Sequence, residues 1–272
     1  MRGIDPAARE LLGRIPLQRS PPLDPEWLRC EMLERFLVLK HVPLRGAGRV
    51  LEVGSGGHAI STVPLAYLVG ADGWVLALER ERWGQFRSIV VASGLEDRVR
   101  AATGDARRLP VREDAVDLAV CIHGIRSLGD DVSTVGVFRE MLRAAPRIAL
   151  VETLPVARRR AQRAHLAMYD LREEVLLAST GRRDDLRYRP LARLASLVEE
   201  AGGAVQRTLS LEVDLPHALA YFPRRLVEAI PAGSHREDLL SRWDAANAAL
   251  LRWGEDHPPV GIVIADRHAP SR

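Results

Sequence analysis

Short apolar runs without helical spacing recur along the chain and predict seven β-strands. They cover about residues 50–53, 74–79, 99–102, 116–122, 147–152, 204–213 and 260–264. Such runs, bounded by turn residues, are typical of buried strands. Most of the segments between them carry apolar residues three or four positions apart, which is the spacing of amphipathic helices. This alternation predicts an α/β fold with a doubly wound, mostly parallel seven-stranded sheet.

Two helices are predicted before the first strand. Asp-Pro pairs at residues 5–6 and 24–25 are helix-start signals, since aspartate caps a first turn and proline fits its first position. The second helix runs to about residue 41, and its apolar face carries Leu28, Met32, Phe36 and Leu39. We therefore expect residues 1–48 to form an N-terminal helical extension and residues 49–272 to form the main domain.

The first strand runs directly into a glycine-rich turn, Glu-Val-Gly-Ser-Gly-Gly-His, at residues 52–58. Glycine adopts positive φ without strain and lets a ligand approach the backbone closely. A helix predicted over about residues 60–69 would point free N–H groups at such a ligand. Gly54 and Gly56, followed by Ala59, also fit the dinucleotide fingerprint of nicotinamide and flavin enzymes. The glycines alone therefore leave the cofactor open.

Candidate polar residues follow three more strands. Glu79 ends the second predicted strand, where a carboxylate can accept both ribose hydroxyls of an adenosine. Asp105 follows the third strand in the sequence Gly-Asp-Ala-Arg-Arg-Leu-Pro, and His123 stands at the end of the fourth. Ligands of open α/β sheets bind at the carboxyl ends of the strands. These side chains and Glu52 are therefore candidate ligand-binding residues.

The order of Glu52 before the glycines, Glu79 and the Gly-Asp-Ala segment resembles the class I S-adenosylmethionine (SAM) dependent methyltransferases. In that family the first acid orients the turn and the methionine end of SAM, and the acid matching Asp105 receives the adenine amino group. The resemblance also implies that the last strand is antiparallel and that the second helix of residues 1–48 forms part of a lid over cofactor and acceptor, the alternative being a packing helix. It assigns cofactor binding to Glu52, Gly54, Ser55, Gly56, Gly57, Glu79, Arg80, Gly104, Asp105, Ala106, Cys121 and His123.

Two histidines are the candidates for further chemistry at this site. The segment Gly-Ile-Arg-Ser-Leu at 124–128 is similar to the ubiquinone/menaquinone and methyltransferase-11 groups of the family. His123, just before it, is a candidate catalytic residue, since neutral imidazole accepts a proton near pH 7. The alternative is a histidine bonded to the backbone at a strand end. His58 stands where many members have a third glycine, so it could contact cofactor or acceptor.

Residues 155–187 and 216–255 are expected to be helical insertions into the main domain. The arginines of the first are Arg158, Arg159, Arg160, Arg163, Arg172, Arg182 and Arg183. They could contact an anionic acceptor or phosphates, or form a solvated face. In the second insertion, Ser234 and Glu237 match a capping box at the start of a helix.

Charge and cysteine content narrow the function only slightly. The formal net charge is only +3, and nearly all the basic residues are arginines, since Lys40 is the sole lysine. The sequence pI of about 9.2 partly reflects the high pKa of arginine, so it weakly favours a nucleic-acid partner without establishing one. Cys30 and Cys121 fall in a predicted helix and a predicted strand, so they predict neither a disulfide framework nor a metal site. The sequence shows no apolar run of membrane-span length and no signal-peptide hydrophobic region, so we expect a cytoplasmic protein.

The leading hypothesis is an enzyme that transfers a methyl group from SAM to a small organic acceptor. An RNA or protein methyltransferase comes second. The arginine-rich segments favour it, whereas the missing Asn/Asp-Pro-Pro-Tyr signature and the missing RNA-binding module disfavour it. A non-catalytic SAM-binding protein and a nicotinamide-dependent oxidoreductase are the remaining alternatives.

Overall fold

Seven strands form one sheet in the computed structural model, which describes residues 5–15, 25–80, 83–180, 188–215 and 222–268. The strands are β1 Arg49–Val53, β2 Trp74–Glu79, β3 Val99–Thr103, β4 Leu118–Ile122, β5 Arg147–Thr153, β6 Gly203–Leu211 and β7 Val260–Arg267. Their spatial order is β3-β2-β1-β4-β5-β7-β6. Strands β1 to β5 pair in parallel, and β7 lies antiparallel between β5 and β6. The predicted α/β fold, with its doubly wound, mostly parallel sheet, is confirmed.

The strand order reverses between β1 and β4. Strand β1 pairs with β2 on one side and with β4 on the other. The chain first builds the sheet outward through β2 and β3, and then returns to build β4 and β5 on the opposite side. Such a switch point leaves a crevice at the carboxyl ends of the strands, where ligands of open α/β sheets bind.

Helices cover both faces of the sheet. Those on one face are α1 Pro6–Arg14, α2 Pro25–Leu39, α3 Thr62–Val69 and α4 Phe86–Ala92. Those on the other are α5 Asp131–Ala144 and α7 Leu191–Glu200. Val50 belongs to the first apolar core and Leu51 to the second, because successive residues of a strand point to opposite faces.

A third apolar cluster joins the helices of the two predicted insertions. These helices are α6 Arg160–Thr180, α8 Arg225–Glu228 and α9 Ser234–Trp253. Their buried side chains include Met168, Leu171, Val175, Val227, Leu239 and Trp243. The two insertions therefore pack against each other. The predicted pair Arg182 and Arg183, and residues 216–221, lie outside the described residues.

The start of β4 and the N-terminal cap of α9 differ from the sequence predictions. Strand β4 begins at Leu118 instead of residue 116, because the Asp117 carboxylate accepts the Arg49 N–H at 2.8 Å and pairs with the Arg49 guanidinium. The capping box was wrong, since Ser234 is already the first residue of α9 and its side chain caps nothing. The predicted cap at Asp5 is confirmed by a 3.0 Å hydrogen bond from the Ala7 N–H.

Neither a membrane-spanning helix nor a metal cluster is found in the described residues. None of the helices there combines the length and the apolar character that crossing a bilayer requires. No group of three or more His, Cys, Asp or Glu side chains in the same part of the chain could hold a metal ion. Cys30 and Cys121 are buried free thiols.

Candidate cofactor and acceptor site

The glycine turn after β1 is tied to the end of β2. The N–H groups of Gly54 and Ser55 donate to the Leu78 carbonyl at 2.9 and 3.1 Å. The N–H of Gly56 donates to Glu79 Oε2 at 2.9 Å. Gly54 and Gly56 have φ values of 78° and 69°, which a residue with a Cβ rarely adopts. The structure thus brings the turn and Glu79 together at one edge of the sheet.

Glu79 is held by the main chain and keeps room for further donors. Its Oε1 accepts the Arg80 N–H at 2.8 Å, while its Oε2 accepts the Gly56 N–H. A carboxylate offers about four lone-pair positions, so about two remain. The side chain can therefore accept two more hydrogen bonds, as adjacent hydroxyl groups would supply.

Glu52 lies beneath the turn as a buried acid. It is only 1% exposed, and its Oε2 accepts a 2.5 Å hydrogen bond from the Thr62 hydroxyl at the start of α3. Its Oε1 has no hydrogen-bond partner among the described residues. Burial raises the pKa of Glu52 to about 7, against the opposing effect of the Thr62 hydrogen bond. A buried acid perturbed in this way within a crevice is typical of functional sites.

Asp105 lies next to Glu79 across the edge of the sheet. The Gly104 N–H donates to the Glu79 carbonyl at 3.1 Å, which places the following turn beside β2. Asp105 Oδ1 accepts the Arg107 N–H at 2.9 Å, and Oδ2 accepts Arg107 Nη2 at 2.6 Å. These hydrogen bonds lower the pKa of Asp105 to about 2, so the side chain is ionised at neutral pH.

The other predicted cofactor residues divide between the edge of the sheet and the core. Four of them lie in the turns just described: Ser55, Gly57, Arg80 and Ala106. His58 is half-buried in the same turn, and burial lowers its pKa. The Cys121 side chain instead packs in the core on the α5 side of the sheet, where burial raises the pKa of its thiol.

His123 is clamped between two buried carboxylates. Its backbone has φ 51°, an uncommon conformation outside glycine, and its N–H donates to the Val151 carbonyl at 2.8 Å. Its Nδ1 lies 3.3 Å from Glu152 Oε1, and its Nε2 lies 3.2 Å from Glu34 Oε1. Both ring nitrogens therefore face carboxylates from different elements, α2 and β5.

The cluster of Glu34, His123 and Glu152 is charged. Burial and the nearby Arg35 oppose protonation of His123, but the two carboxylates outweigh them and raise its pKa. Burial opposes ionisation of Glu34 and Glu152, yet Arg35 and His123 lower the pKa of Glu34, and His123 lowers that of Glu152. When His123 is protonated, its imidazolium donates one N–H group to each of these carboxylates. Proton acceptance by His123 requires one of these ion pairs to open.

Glu34 and Arg35 on α2 are site residues that the sequence analysis missed. Glu34 is fully buried and Arg35 is 7% exposed, and the two form an ion pair with each other. The predicted apolar face of α2, from Leu28 to Leu39, is buried as expected. Charged side chains beside the apolar face of a helix are usually exposed to solvent. Nothing in the local pattern indicates that the ends of β4 and β5 cover them.

A cavity of about 20 Å³ lies beside His123, which is room for about one water molecule. Its lining residues are Glu31, Arg35, His123, Arg126, Thr153, His165, Leu166, Tyr169 and His257. They come from α2, from the ends of β4 and β5, from α6 and from the segment before β7. A ligand larger than water therefore enters only when α2 or α6 shifts.

His257 is a second histidine of the cavity wall that the sequence analysis missed. Its Nδ1 lies 2.6 Å from the Pro258 carbonyl oxygen, so Nδ1 carries the proton, because a carbonyl only accepts. Burial lowers the pKa of His257 to about 3. The ring is therefore neutral and its Nε2 is an acceptor. The local sequence, a single histidine followed by two prolines, does not indicate that His257 lies in the cavity wall.

No protein-family model and no curated protein matches the chain. Solved structures are similar to it. A cyclopropane-fatty-acyl-phospholipid synthase-like protein from Lactobacillus casei has a TM-score of 0.69 at 13% identity, covering 95% of this chain and 98% of that one. A SAM-dependent methyltransferase from Aquifex aeolicus has a TM-score of 0.51 at 17% identity, covering 89% and 98%. The [4+2]-cyclase SpnF has a TM-score of 0.55 at 16% identity, covering 96% and 91%.

These likenesses concern the fold, because all three identities are low and one of the proteins is a cyclase. The sheet order, with its antiparallel strand between the fifth and the sixth, agrees with the sequence resemblance. The chain therefore has the fold of the class I SAM-dependent methyltransferases.

Proposed function

We propose that the protein transfers a methyl group from SAM to a small organic acceptor. One observation carries the proposal: the glycine turn and the acids Glu52, Glu79 and Asp105 meet at one carboxyl edge of a class I methyltransferase fold. Each of these residues matches the family motif on which the sequence resemblance rests. The same edge is the usual ligand position in open α/β sheets.

The residues present fit an adenosine-containing cofactor. No atom lies within 4 Å of the Cβ positions of Gly54 and Gly56, so the turn leaves open space for a ligand. Glu79 retains lone pairs for two ribose hydroxyls, and the ionised Asp105 would accept a hydrogen bond from an adenine amino group when the Arg107 guanidinium moves away from one of its oxygens. The unpartnered Oε1 of Glu52 is available toward the methionine end. Arg80, Gly104 and Ala106 would complete the wall.

SAM, when bound, supplies a methyl group activated by a cationic sulfur. The work of this chain is then to orient the acceptor in line and to exclude water. Helix α2 contributes Glu34 and Arg35 to the cavity region, and α6 contributes His165 and Tyr169. Because α2 and α6 cover the cavity region, they support a reaction from which bulk water is excluded.

Two histidines are proposed for handling the acceptor proton. His123 takes it up only if Glu34 or Glu152 moves away, whereas Nε2 of His257 is unprotonated but is a weak base, because burial disfavours its protonated form. Alignment alone is sufficient for an acceptor that carries no proton to lose. Comparison of His123→Gln and His257→Gln turnover against pH separates these roles.

The activity is tested with SAM that is labelled in its methyl group. The protein is incubated with this SAM and a small-molecule extract, and the products are separated into small molecules, RNA and protein. We expect label in a small organic product and accumulation of S-adenosylhomocysteine. Asp105→Ala should lose the transfer, and Asp97→Ala, an exposed acid outside the site, should keep it.

Three outcomes would contradict the proposal. Label in RNA or protein would support a macromolecular acceptor, although Arg158 and Arg159 already form ion pairs with Glu212. Cofactor binding without any transfer would support a non-catalytic SAM-binding protein. Reduction or oxidation of a nicotinamide cofactor without methyl transfer would support an oxidoreductase.

A further inference from the structure

Arg126 is a cation of the cavity wall that forms no ion pair with a carboxylate of the described residues. Its Nη1 donates to the Tyr188 hydroxyl at 3.3 Å. Its Cζ lies 5.1 Å from the ring centroid of Tyr169 and 5.9 Å from that of Tyr188. No ion pair within 4.0 Å joins its guanidinium to an acid of the described residues. A guanidinium has five N–H donors, so most of them have no protein acceptor here.

The acids nearest to this cavity are already matched by other groups. Glu34 pairs with Arg35 and His123. Glu152 pairs with His123 and accepts the Arg126 main-chain N–H at 3.3 Å. Glu31 lies 3.9 Å from Arg35. None of these carboxylates is therefore available to the Arg126 side chain without breaking an existing pair.

Tyr169 supplies a second unmatched donor on the same wall. The residue is 9% exposed, and its hydroxyl has no hydrogen-bond partner among the described residues. Burial raises the pKa of Tyr169 to about 12, despite the opposing charges of Arg126 and Arg172. The hydroxyl therefore keeps its proton and can donate. An unsatisfied buried donor is costly, so this hydroxyl is expected to meet an acceptor in the cavity, either a water molecule or a ligand group.

We propose that this cavity binds a carboxylate group of the methyl acceptor, held by the Arg126 guanidinium and the Tyr169 hydroxyl. Guanidinium and carboxylate are both planar and match through parallel hydrogen bonds. Because the cavity has room for about one water molecule, a carboxylate group enters it only when α2 or α6 shifts. That the carboxylate belongs to a methyl acceptor rests on the proposed methyl transfer, whereas carboxylate binding in this cavity does not depend on it.

Acetate and acetamide test this site, because they have nearly the same shape and differ in charge. Each is titrated into the protein at constant ionic strength, with and without S-adenosylhomocysteine, and binding is followed by ligand-observed NMR. The variants are Arg126→Gln, Arg126→Lys and Tyr169→Phe. Arg112→Gln is the matched control, since Arg112 is exposed and lies outside the cavity. Thermal unfolding verifies that each variant is folded.

We expect acetate to bind and acetamide not to bind. Arg126→Gln should weaken acetate binding at least tenfold, Arg126→Lys and Tyr169→Phe less, and Arg112→Gln not at all. Equal binding of acetate and acetamide, or unchanged acetate binding in folded Arg126→Gln, would overturn the proposal. So would binding of inorganic phosphate in place of acetate. If acetate binds but S-adenosylhomocysteine does not, the proposed methyl transfer is refuted and the carboxylate site stands.

Discussion

Glu52 illustrates how a single buried residue can serve a site at the expense of stability. Its carboxyl group lies under the glycine turn, where one oxygen accepts a hydrogen bond from Thr62 and the other has no partner among the described residues. Burial disfavours the charged form, which is why its pKa is about 7. A neutral residue of the same shape would avoid this cost. The acid at this position is therefore better explained by a ligand than by folding.

Replacing Glu52 with Gln should stabilise the protein above neutral pH. The folded-state pKa of about 7 exceeds the ordinary value of 4.5, so the charged form costs nothing below pH 4.5 and its full cost above pH 7. At about 1.4 kcal/mol per pKa unit, the gain in unfolding free energy is up to about 3 kcal/mol at pH 8. Thermal unfolding at pH 5 and pH 8 measures it.

The Glu52→Gln variant should also bind S-adenosylhomocysteine more weakly than the unaltered protein does. Glu96→Gln, which changes an exposed acid, is the control for both measurements. A variant that gains no stability at pH 8 relative to pH 5 would show that Glu52 is not a strained buried acid. A stabilised variant with unchanged ligand affinity would remove it from the cofactor site.

Asp105→Ala should weaken binding of S-adenosylhomocysteine by about 1 to 3 kcal/mol, the cost of leaving a ligand donor unpaired. Asp105 also holds Arg107, but that pair is exposed, so its loss should change stability little. Calorimetric titration measures the affinity, with Asp97→Ala as control. Unchanged affinity in a folded Asp105→Ala sample would refute the adenine role.

At the level of elements, α2 joins the N-terminal segment to the candidate site. Glu34 reaches His123 after β4, and His123 in turn reaches Glu152 of β5. Three separate elements thus meet in one buried charge cluster. Removing one partner of such a cluster leaves an unpaired buried charge, which typically costs about 3 to 5 kcal/mol.

The effect of Glu34→Gln should depend on pH. The pKa of His123 is raised from 6.5, so its pairing stabilises the fold fully below pH 6.5 and is lost as pH rises through the folded-state value. The pKa values of Glu34 and Glu152 are lowered from 4.5, so their contribution is present above pH 4.5 and is lost in acid. The difference in unfolding temperature between the unaltered protein and Glu34→Gln should be largest near pH 6 and should shrink as pH rises. A difference that stays constant would show a neutral His123.

Strands and the glycine turn were predictable because their signals are local. Apolar runs mark each strand, and the acids that follow them lie at the edge that parallel strands share. The predicted capping box at Ser234 and Glu237 was wrong because the N-cap is Gly233, one residue earlier, and sequence patterns do not locate helix ends to a single residue. Glu34, Arg35 and His257 could not be identified, since their roles arise from contacts with strands far away in sequence.

At the scale of the whole molecule, two apolar cores cover the sheet and a third joins α6, α8 and α9. The sequence predicted two insertions but not their mutual packing, because each helix buries its apolar face against a partner about seventy residues away. Arg158 and Arg159 illustrate the same limit. The sequence left open whether this run contacts an anionic ligand or forms a solvated face, and in the structure both arginines form ion pairs with Glu212, while Arg159 also pairs with Asp256.

The central claim is that the carboxyl edge of this sheet is a SAM site. Calorimetric titration of the purified protein with S-adenosylhomocysteine, beside an identical titration with NAD, tests it most directly. We predict micromolar binding of S-adenosylhomocysteine and no binding of NAD. Preference for NAD, or absence of S-adenosylhomocysteine binding in a folded sample, would contradict the account.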